Sequence, residues 1–337
     1  MNERIEITPA ASNMTRKEIG LNRKEIFGSF FSMFGILLII IILAVIFGLT
    51  APRFLLMQNI TNILKQISVV GIMAIGMHLV ILQGGIDLSV GSSALLSAVV
   101  TMYLVNHGYM PTGLAIVIGL LAAAAVGLIN GFMVETVRIS PIIVTLVTMI
   151  AVRGLAQTIL WIDNSWLWVK DPVFVFMAQK NLGPIPVLVI FMVLLYLLFY
   201  ILLQKTSFGR YLYAIGGNQR ASELCGIPVV KIKTLAYTLC GLTAGIGGLI
   251  LAARLSAVSP QVGNNIQFDV MTAVILGGAS LSGGSGRLEK TFLGAILAGM
   301  ILNYLTIKGI PGPYQSAVNG MIILVAVILD RLSKVKA

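Results

Sequence analysis

The sequence predicts an all-α polytopic membrane protein with about ten transmembrane helices, some of them short or broken. Of its 337 residues, 58% are hydrophobic and only 10% are charged, whereas soluble domains carry about 25% charged residues. Long apolar stretches recur along the chain, and about twenty apolar residues cross a bilayer core of ~30 Å as a helix. No long polar block remains, so we expect one transmembrane domain over residues 28–331, after a charged cytoplasmic tail over residues 1–27.

The apolar stretches place the individual spans. The predicted spans are 30–49, 60–82, 90–106, 112–134, 141–161, 185–203, 235–253, 268–282, 290–306 and 314–331. Those at 90–106 and 268–282 are short for a full crossing. No small-residue cleavage site follows the first stretch, so we interpret it as a retained helix and not as a signal peptide.

The net charge of +11 could suggest a nucleic-acid partner, but the basic residues sit in short loops between apolar spans. If the N-terminus is inside, sixteen of the 23 Lys and Arg residues fall in inner segments and six in outer ones, with Arg153 inside a span. This asymmetry is the one that orients inner-membrane proteins. We therefore expect a multi-pass protein of the bacterial plasma (inner) membrane with both termini in the cytoplasm and no nucleic-acid partner.

The stretch 81–93 (ILQGGIDLSVGSS) places a carboxylate, Asp87, between two glycine-containing turns within an apolar region. An ionisable group at membrane depth normally faces a protein interior or a watery cavity, and irregular backbone is tolerated there only under such cover. One interpretation is a broken or re-entrant element beside a translocation path. The alternative is two helix ends that meet at the cytoplasmic surface, with Asp87 as an N-cap.

Other polar residues occur in apolar spans. Asn130 lies beside Gly131, which together with Gly127 has the spacing of closely packed transmembrane helices. Arg153 either pairs with Asp87 or extends its side chain toward an interface. Between that ion pair and a structural role for Asp87 at the head of the next helix, we favour the structural role. The candidate path residues are Gln83, Asp87, Ser89, Asn130, Thr145 and Arg153.

Two loops are long. The outer loop 162–184 carries Trp166 and Trp168, which suit a membrane interface. The inner loop 204–234 holds five basic residues and one acidic residue. Within it, a short amphipathic helix is predicted from Asn218 to Cys225, with Asn218 as its N-cap.

No motif points to catalysis. His78 and His107 have no Cys or carboxylate at ligand spacing, so no metal site is expected. Cys225 and Cys240 form no CxxC pair, and no phosphate loop, GxSxG or HExxH occurs. We expect this chain to have no catalytic site and to bind no cofactor.

A short internal similarity links residues 80–92 (VILQGGIDLSVGS) and 274–285 (VILGGASLSGGS), which align with one gap. On the predicted topology, both segments follow a span that runs from outside to inside. The similarity is consistent with an internal duplication, although segments this rich in Gly, Ser and Leu also match by chance.

Four segments resemble the permease subunit of ribose-type ABC sugar importers, within the branched-chain-type permease superfamily. They are GGIDLSVGS at 84–92 and the longer stretches 127–154, 206–233 and 253–287, and the resemblance as a whole spans residues 55–331. It implies a type II-like importer permease that works as a homodimer or as a heterodimer with a related permease. It also implies a tandem two-domain ABC ATPase in the cytosol, which binds ATP and magnesium, and an extracytoplasmic sugar-binding protein.

The residues fit this resemblance independently, because a chain without a nucleotide motif must leave ATP hydrolysis to a partner. The loop 204–234 is the only inner segment large enough to dock one, and its short helix resembles the coupling helix of ABC permeases. The residues expected to couple to the ATPase are Gly216, Gly217, Asn218, Ala221, Glu223, Gly226 and Ile227.

The rival hypothesis is an ion-coupled secondary transporter of a small polar solute. Such a transporter normally needs several intramembrane carboxylates or an ion site at a helix break. Asp87 is the strong candidate here, since Asp269 and Asp330 fall near predicted span ends. A membrane scaffold would not need the buried polar residues. The substrate stays open among pentoses, hexoses, related polyols and autoinducer-like sugars.

Overall fold

The computed structural model describes residues 34–335, so the predicted tail 1–27 lies outside the described residues. Thirteen α-helices fill most of this range. They are α1 Phe34–Thr50, α2 Met57–Leu82, α3 Val90–Asn106, α4 Thr112–Glu135, α5 Pro141–Ile162, α6 Pro172–Gln179, α7 Val187–Lys205, α8 Ser207–Gly217, α9 Gln219–Leu224, α10 Val229–Leu255, α11 Ile266–Leu276, α12 Leu288–Ile307 and α13 Gly312–Val335.

The helices confirm an all-α polytopic membrane protein. Among the described residues, six helices are long and apolar enough to cross a membrane: α2, α4, α5, α7, α10 and α12. Four shorter apolar helices, α1, α3, α11 and α13, bring the set to the ten that the sequence predicts. The start of the predicted first span, 30–49, lies outside the described residues.

One predicted span ends too late. The sequence predicts 268–282, but α11 stops at Leu276 because Gly277 and Gly278 end it. Gly278 has φ +79°, a left-handed conformation that suits glycine and commonly ends helices. The next residues form an irregular loop against the first turn of α12.

Helix α2 lies at the centre of the bundle. Every residue from Ile67 to Leu82 is buried, as expected for a helix that is apolar on all sides. It packs against α7, α10, α11 and α12. At Gly76 an added Cβ would lie 2.5 Å from the Cα of Cys240, so α2 and α10 approach to backbone contact.

Small residues also join α4 to α10. An added Cβ on Gly127 would lie 2.1 Å from the Tyr237 carbonyl oxygen, and one on Gly131 would lie 2.7 Å from the Thr234 Cα. The predicted packing role of these two glycines is thereby confirmed. The contact places Asn130, one residue before Gly131, inside the bundle.

Two short ladders complete the fold. Strand β1 (Leu167–Trp168) pairs antiparallel with β4 (Ala257–Val258), and β2 (Asn181–Leu182) pairs with β3 (Ile185–Pro186). Together with α6 they cover one end of the bundle, here called the α6 end. Helices α8 and α9 cover the opposite end, here called the α9 end. The sequence did not single out α6 or α8.

The two segments that resemble each other in sequence also share a backbone conformation. Gly84 has φ +81° and donates its N–H to the Ile81 oxygen at 2.9 Å; Gly278 has φ +79° and donates to the Ile275 oxygen at 2.8 Å. The loops that follow touch each other, because the Gly284 N–H donates to the Leu82 oxygen at 2.8 Å. Both turns therefore end a helix in the same way.

Candidate functional site

Asp87 lies in a buried polar network, with only 1% of its surface exposed. Its Oδ1 atom accepts hydrogen bonds from the backbone N–H of Ser89 at 2.9 Å and from the Ser89 hydroxyl at 2.6 Å. Asn130 Nδ2 lies 3.5 Å from the same oxygen and donates to Ser89 Oγ at 2.9 Å. Residues from the α2–α3 turn and from α4 thus share one set of hydrogen bonds.

Helix α10 shows how deep this network lies. Cys240 of α10 lies next to the Asp87 side chain, and Cys240 is eleven residues beyond the start of α10 at Val229. At 1.5 Å per residue, that is about 16 Å into the helix. The turn between α2 and α3, residues 83–89, therefore folds back into the bundle with Asp87 buried, and it is here called the re-entrant turn.

The contacts of Asp87 fit the structural role favoured from the sequence. Asp87 is not the N-cap that the sequence predicts, because Ser89 takes that position without a side-chain cap bond; the Asp87 carboxylate instead holds the turn before Val90, where α3 begins. Arg153 points elsewhere: it donates to the carbonyl oxygens of Pro260 at 3.2 Å and Gly263 at 3.0 Å. The hypothesis of an Asp87–Arg153 ion pair is wrong, because the carbonyls of the 259–265 segment occupy the guanidinium group.

Thr145 contacts this turn from α5, and Gln83 links the turn to α10. The Thr145 hydroxyl lies 3.4 Å from the Ile86 carbonyl oxygen and 2.9 Å from that of Pro141. Gln83 Nε2 lies 3.4 Å from the backbone oxygen of Lys233. Four of the six candidate path residues, Asp87, Ser89, Asn130 and Thr145, thus meet at one place. Their role in a translocation path stays a prediction.

The coupling segment has the local structure that the sequence predicts. Asn218 Oδ1 accepts the Ala221 N–H at 3.0 Å, which caps α9, and Gly226 has φ +77°, where a Cβ is disfavoured. Hydrogen bonds from Gln219 and Arg220 hold the pKa of Glu223 below its usual range. The side chains of α9 are mostly exposed at this end, where a partner can reach them.

Gly216 connects the coupling segment to the re-entrant turn. An added Cβ would lie 1.9 Å from the Leu82 carbonyl oxygen and 2.3 Å from the Gly284 nitrogen. At the neighbouring Gly217 an added Cβ meets nothing within 4 Å. The C-terminus of α8 therefore rests on the end of α2 through Gly216.

Sequence reasoning missed a buried ion pair beside this junction. Lys233 Nζ lies 2.6 Å from Glu135 Oε1, and it also donates to Gln219 Oε1 at 3.2 Å. The sequence predicts Lys233 in a loop and gives no signal for Glu135. The two residues meet only because α10 begins at Val229 and packs against α4. Both residues line a cavity of about 470 Å³ beside α9.

No group of three or more His, Cys, Asp or Glu side chains that could hold a metal ion occurs within residues 34–335. His78 hydrogen-bonds Thr291 at 2.8 Å through Nδ1, and His107 lies 3.4 Å from Asp163. The two histidines are thus in separate parts of the fold.

The chain is similar to known transport proteins over almost its whole length. It is 39% identical over 322 residues to the ribose import permease protein RbsC of Bacillus subtilis, covering 94% of this chain and 99% of that protein. It is 40% identical over 298 residues to RbsC of Escherichia coli K12, covering 87% and 92%. It is 34% identical over 305 residues to the L-arabinose transport system permease protein AraH of the same strain, covering 90% and 92%. No solved structure matches significantly.

A family model matches residues 59–327, which run from the first turn of α2 into α13. The match includes the re-entrant turn, the α8–α9 segment and the 259–265 segment. The chain belongs to this family, described as the branched-chain amino acid transport system permease component.

Proposed function

We propose that this chain is the transmembrane subunit of a binding-protein-dependent ABC importer that moves a monosaccharide or a related polyol. The observation that carries the proposal is its similarity, at 39–40% identity over 87–94% of the chain, to two ribose import permeases. The arabinose permease, at 34% identity, supports the wider class of sugars. The names of these relatives give two different sugars, ribose and arabinose. We therefore propose the class of substrate, a monosaccharide or related polyol, and not one particular sugar.

A partner protein supplies the energy for transport by hydrolysing ATP. The chain has no nucleotide-binding motif, so ATP and magnesium bind to a cytoplasmic ABC ATPase, and the chain itself is not an enzyme. The capped helix α9 and the exposed residues beside it offer that ATPase a docking surface at one end of the bundle. This puts the α9 end in the cytosol, the orientation that the distribution of basic residues also favours.

The other partners follow from the same class. An extracytoplasmic binding protein delivers the sugar at the α6 end, and a second permease copy, identical or related, completes the pathway. The coupling residues are Gly216, Gly217, Asn218, Ala221, Glu223, Gly226 and Ile227, with α9 as the coupling helix.

The test is reconstitution of this chain with its ATPase and binding protein in proteoliposomes, with uptake of radiolabelled D-ribose and L-arabinose as the readout. We expect uptake that needs ATP and the binding protein and that vanadate inhibits. An ATPase variant unable to hydrolyse ATP is the control. Uptake driven by a proton or sodium gradient without ATP would support the ion-coupled alternative and overturn the proposal.

A further inference from the structure

Asp269 is another carboxylate inside the bundle, besides Asp87 and Glu135. The sequence places it near a span end, but α11 is only 11 residues long, about 16 Å, or half of a bilayer core. Gly277 packs on Thr291 in the first turn of α12, and Ala273 packs on Gly294 one turn further along. Asp269 lies one turn beyond Ala273 and so stands near the middle of α12. An ionisable residue at this depth marks a functional site by default.

Two cavities meet at Asp269. One, of about 270 Å³, lies between the end of α10 and the 259–265 segment; its polar lining residues are Ser259, Gln261, Asn264 and Asp269. The other, of about 240 Å³, lies between α11 and α13; its polar lining residues are Asn265, Asp269, Ser316 and Asn319. Each cavity has enough volume for a small solute, and Asp269 is the one described residue that lines both cavities.

The segment that lines both cavities is held in a fixed, non-helical form. Arg153 donates to the carbonyls of Pro260 and Gly263, which leaves the side chains of this segment free to face the cavities. Gly263 has φ +68° and Asn265 has φ 62°. Gly263 also packs against Gly91, where an added Cβ would lie 2.5 Å from the Gly263 oxygen. This segment therefore rests on the first turn of α3.

The chemistry of this site suits hydroxyl groups. The Asp269 carboxylate accepts a hydrogen bond from the Asn319 amide, and a carboxylate has about four acceptor positions, so several stay open. The amides of Asn264 and Asn265 and the hydroxyl of Ser316 add both donors and acceptors. Among the described residues, no Lys or Arg lines either cavity, which disfavours a phosphate or carboxylate as the ligand.

We infer that Asp269, together with Asn264 and Asn265, binds the hydroxyl groups of the transported solute halfway through the membrane. The inference rests on the proposed function and deepens it, because it places the solute contact on α11 and the 259–265 segment and not at the Asp87 network. Asp87 is enclosed by Ser89, Asn130 and Cys240, whereas Asp269 faces a cavity on each of two sides.

The first test is uptake by the Asp269→Asn variant in the full reconstituted complex. Asparagine keeps the size of the side chain and a hydrogen bond to Asn319, so the α11–α13 contact survives. We expect the maximum rate of ribose or arabinose uptake to fall about tenfold or more, as loss of hydrogen bonds to a charged group implies. The apparent KM stays unchanged, because the binding protein sets capture. Uptake at the wild-type rate would overturn the inference.

A matched variant separates solute contact from structural support. Asn319→Leu removes the contact between α11 and α13 but leaves the carboxylate in place. If Asp269 only joins the helices, Asn319→Leu will impair uptake more than Asp269→Asn does, and the inference fails. If the carboxylate binds solute, Asp269→Asn is the more harmful change at equal levels in the membrane.

The second test does not depend on the folding of an Asp269 variant. In a Cys225→Ser background, Asn265→Cys and Ser316→Cys should react with a water-soluble, membrane-impermeant thiol reagent in at least one nucleotide state, and the modification should block uptake. The buried Cys240 and a Leu121→Cys variant, at an outward-facing position of α4 that is 62% exposed, should not react. Protection of both engineered cysteines in every state would overturn the inference. Failure of the unmodified complex to take up sugar with ATP would instead refute the proposed function.

Discussion

Lys233 Nζ on α10 lies 2.6 Å from Glu135 Oε1 on α4 and 3.2 Å from Gln219 Oε1 on α9. The Lys233 and Glu135 side chains are only 11% and 4% exposed. One ammonium group therefore joins the predicted coupling helix to the two helices that also hold Asn130 and Cys240. The backbone oxygen of the same lysine accepts from Gln83 in the re-entrant turn, so movement of α9 can reach the Asp87 network through a short chain of contacts.

Replacing Lys233 with Met should destabilise the protein by about 3–5 kcal/mol, because it leaves the Glu135 carboxylate buried without a partner. Thermal unfolding in detergent measures the loss. Arg220→Ala, which breaks the exposed Arg220–Glu223 pair, is the control and should cost at most about 1 kcal/mol. A double variant, Lys233→Met with Glu135→Leu, should recover most of the stability but not the coupling of ATP hydrolysis to uptake. Full recovery of both would mean that the pair is only structural.

Asp87→Asn should leave uptake and stability close to those of the wild type. Asparagine retains the oxygen that accepts from the Ser89 N–H and hydroxyl, so the turn before α3 keeps its bonds. Asp87→Ala removes that acceptor and should cost about 1–3 kcal/mol, because the buried groups of Ser89 and Asn130 lose a partner. Uptake assays and thermal unfolding compare the two variants. A strong loss of uptake in Asp87→Asn at normal membrane levels would show that the charge itself is needed.

Gly216→Ala should disturb the junction between α8 and α2, whereas Gly217→Ala should not. A Cβ on Gly216 would lie 1.9 Å from the Leu82 oxygen, but one on Gly217 meets nothing within 4 Å. We expect Gly216→Ala to lower the melting temperature by several degrees, as a loss of about 1–3 kcal/mol from overpacking implies, and to reduce uptake. Equal melting temperatures of the two variants would argue against a tight contact at Gly216.

Ala221→Asp should weaken docking of the ATPase without unfolding the permease. Ala221 is exposed on α9, so its replacement disturbs no packing within the chain. Co-purification of the ATPase with the permease and ATP-driven uptake should both fall, while the melting temperature of the permease alone stays constant. The control places the same charge at the α6 end, as Asn181→Asp. Normal uptake by Ala221→Asp would exclude α9 from the docking surface.

Gly226→Val should impair coupling through the backbone. Gly226 has φ +77° with open space around it, so the cost comes from a left-handed conformation that a β-branched residue rarely adopts, and not from a clash. We expect the short turn after α9 to shift and ATP-driven uptake to fall, with the permease still inserted in the membrane. Gly113→Val, in the first turn of α4 at the α6 end, is the control, since Gly113 has helical backbone and an added Cβ there meets nothing within 4 Å. Uptake that survives in Gly226→Val would separate this turn from coupling.

The sequence by itself determined the class, the approximate number of apolar helices and the local turns. Apolar stretches such as 60–82 and 112–134 match α2 and α4 because a bilayer imposes the length of a span. Asn218 caps α9 and Gly226 adopts a positive φ because both depend on neighbouring residues only. The motif at 84–92 indicates the permease family for a similar reason, because a motif in one continuous stretch of chain can be recognised without the fold.

Only the tertiary structure decided which polar groups meet. Lys233 and Glu135 lie far apart in sequence and pair because Gly127 and Gly131 let α4 approach α10. Arg153 binds the carbonyls of Pro260 and Gly263 and not Asp87, since the chain between α10 and α11 turns into the bundle beside it. The sequence predicts Asp269 near the end of a span. In the structure, the short helix α11 packs along α12 so that Asp269 lies beside the middle of α12. The length of an apolar stretch predicts the length of a span. The partner of a buried polar group instead depends on contacts between helices that are distant along the chain.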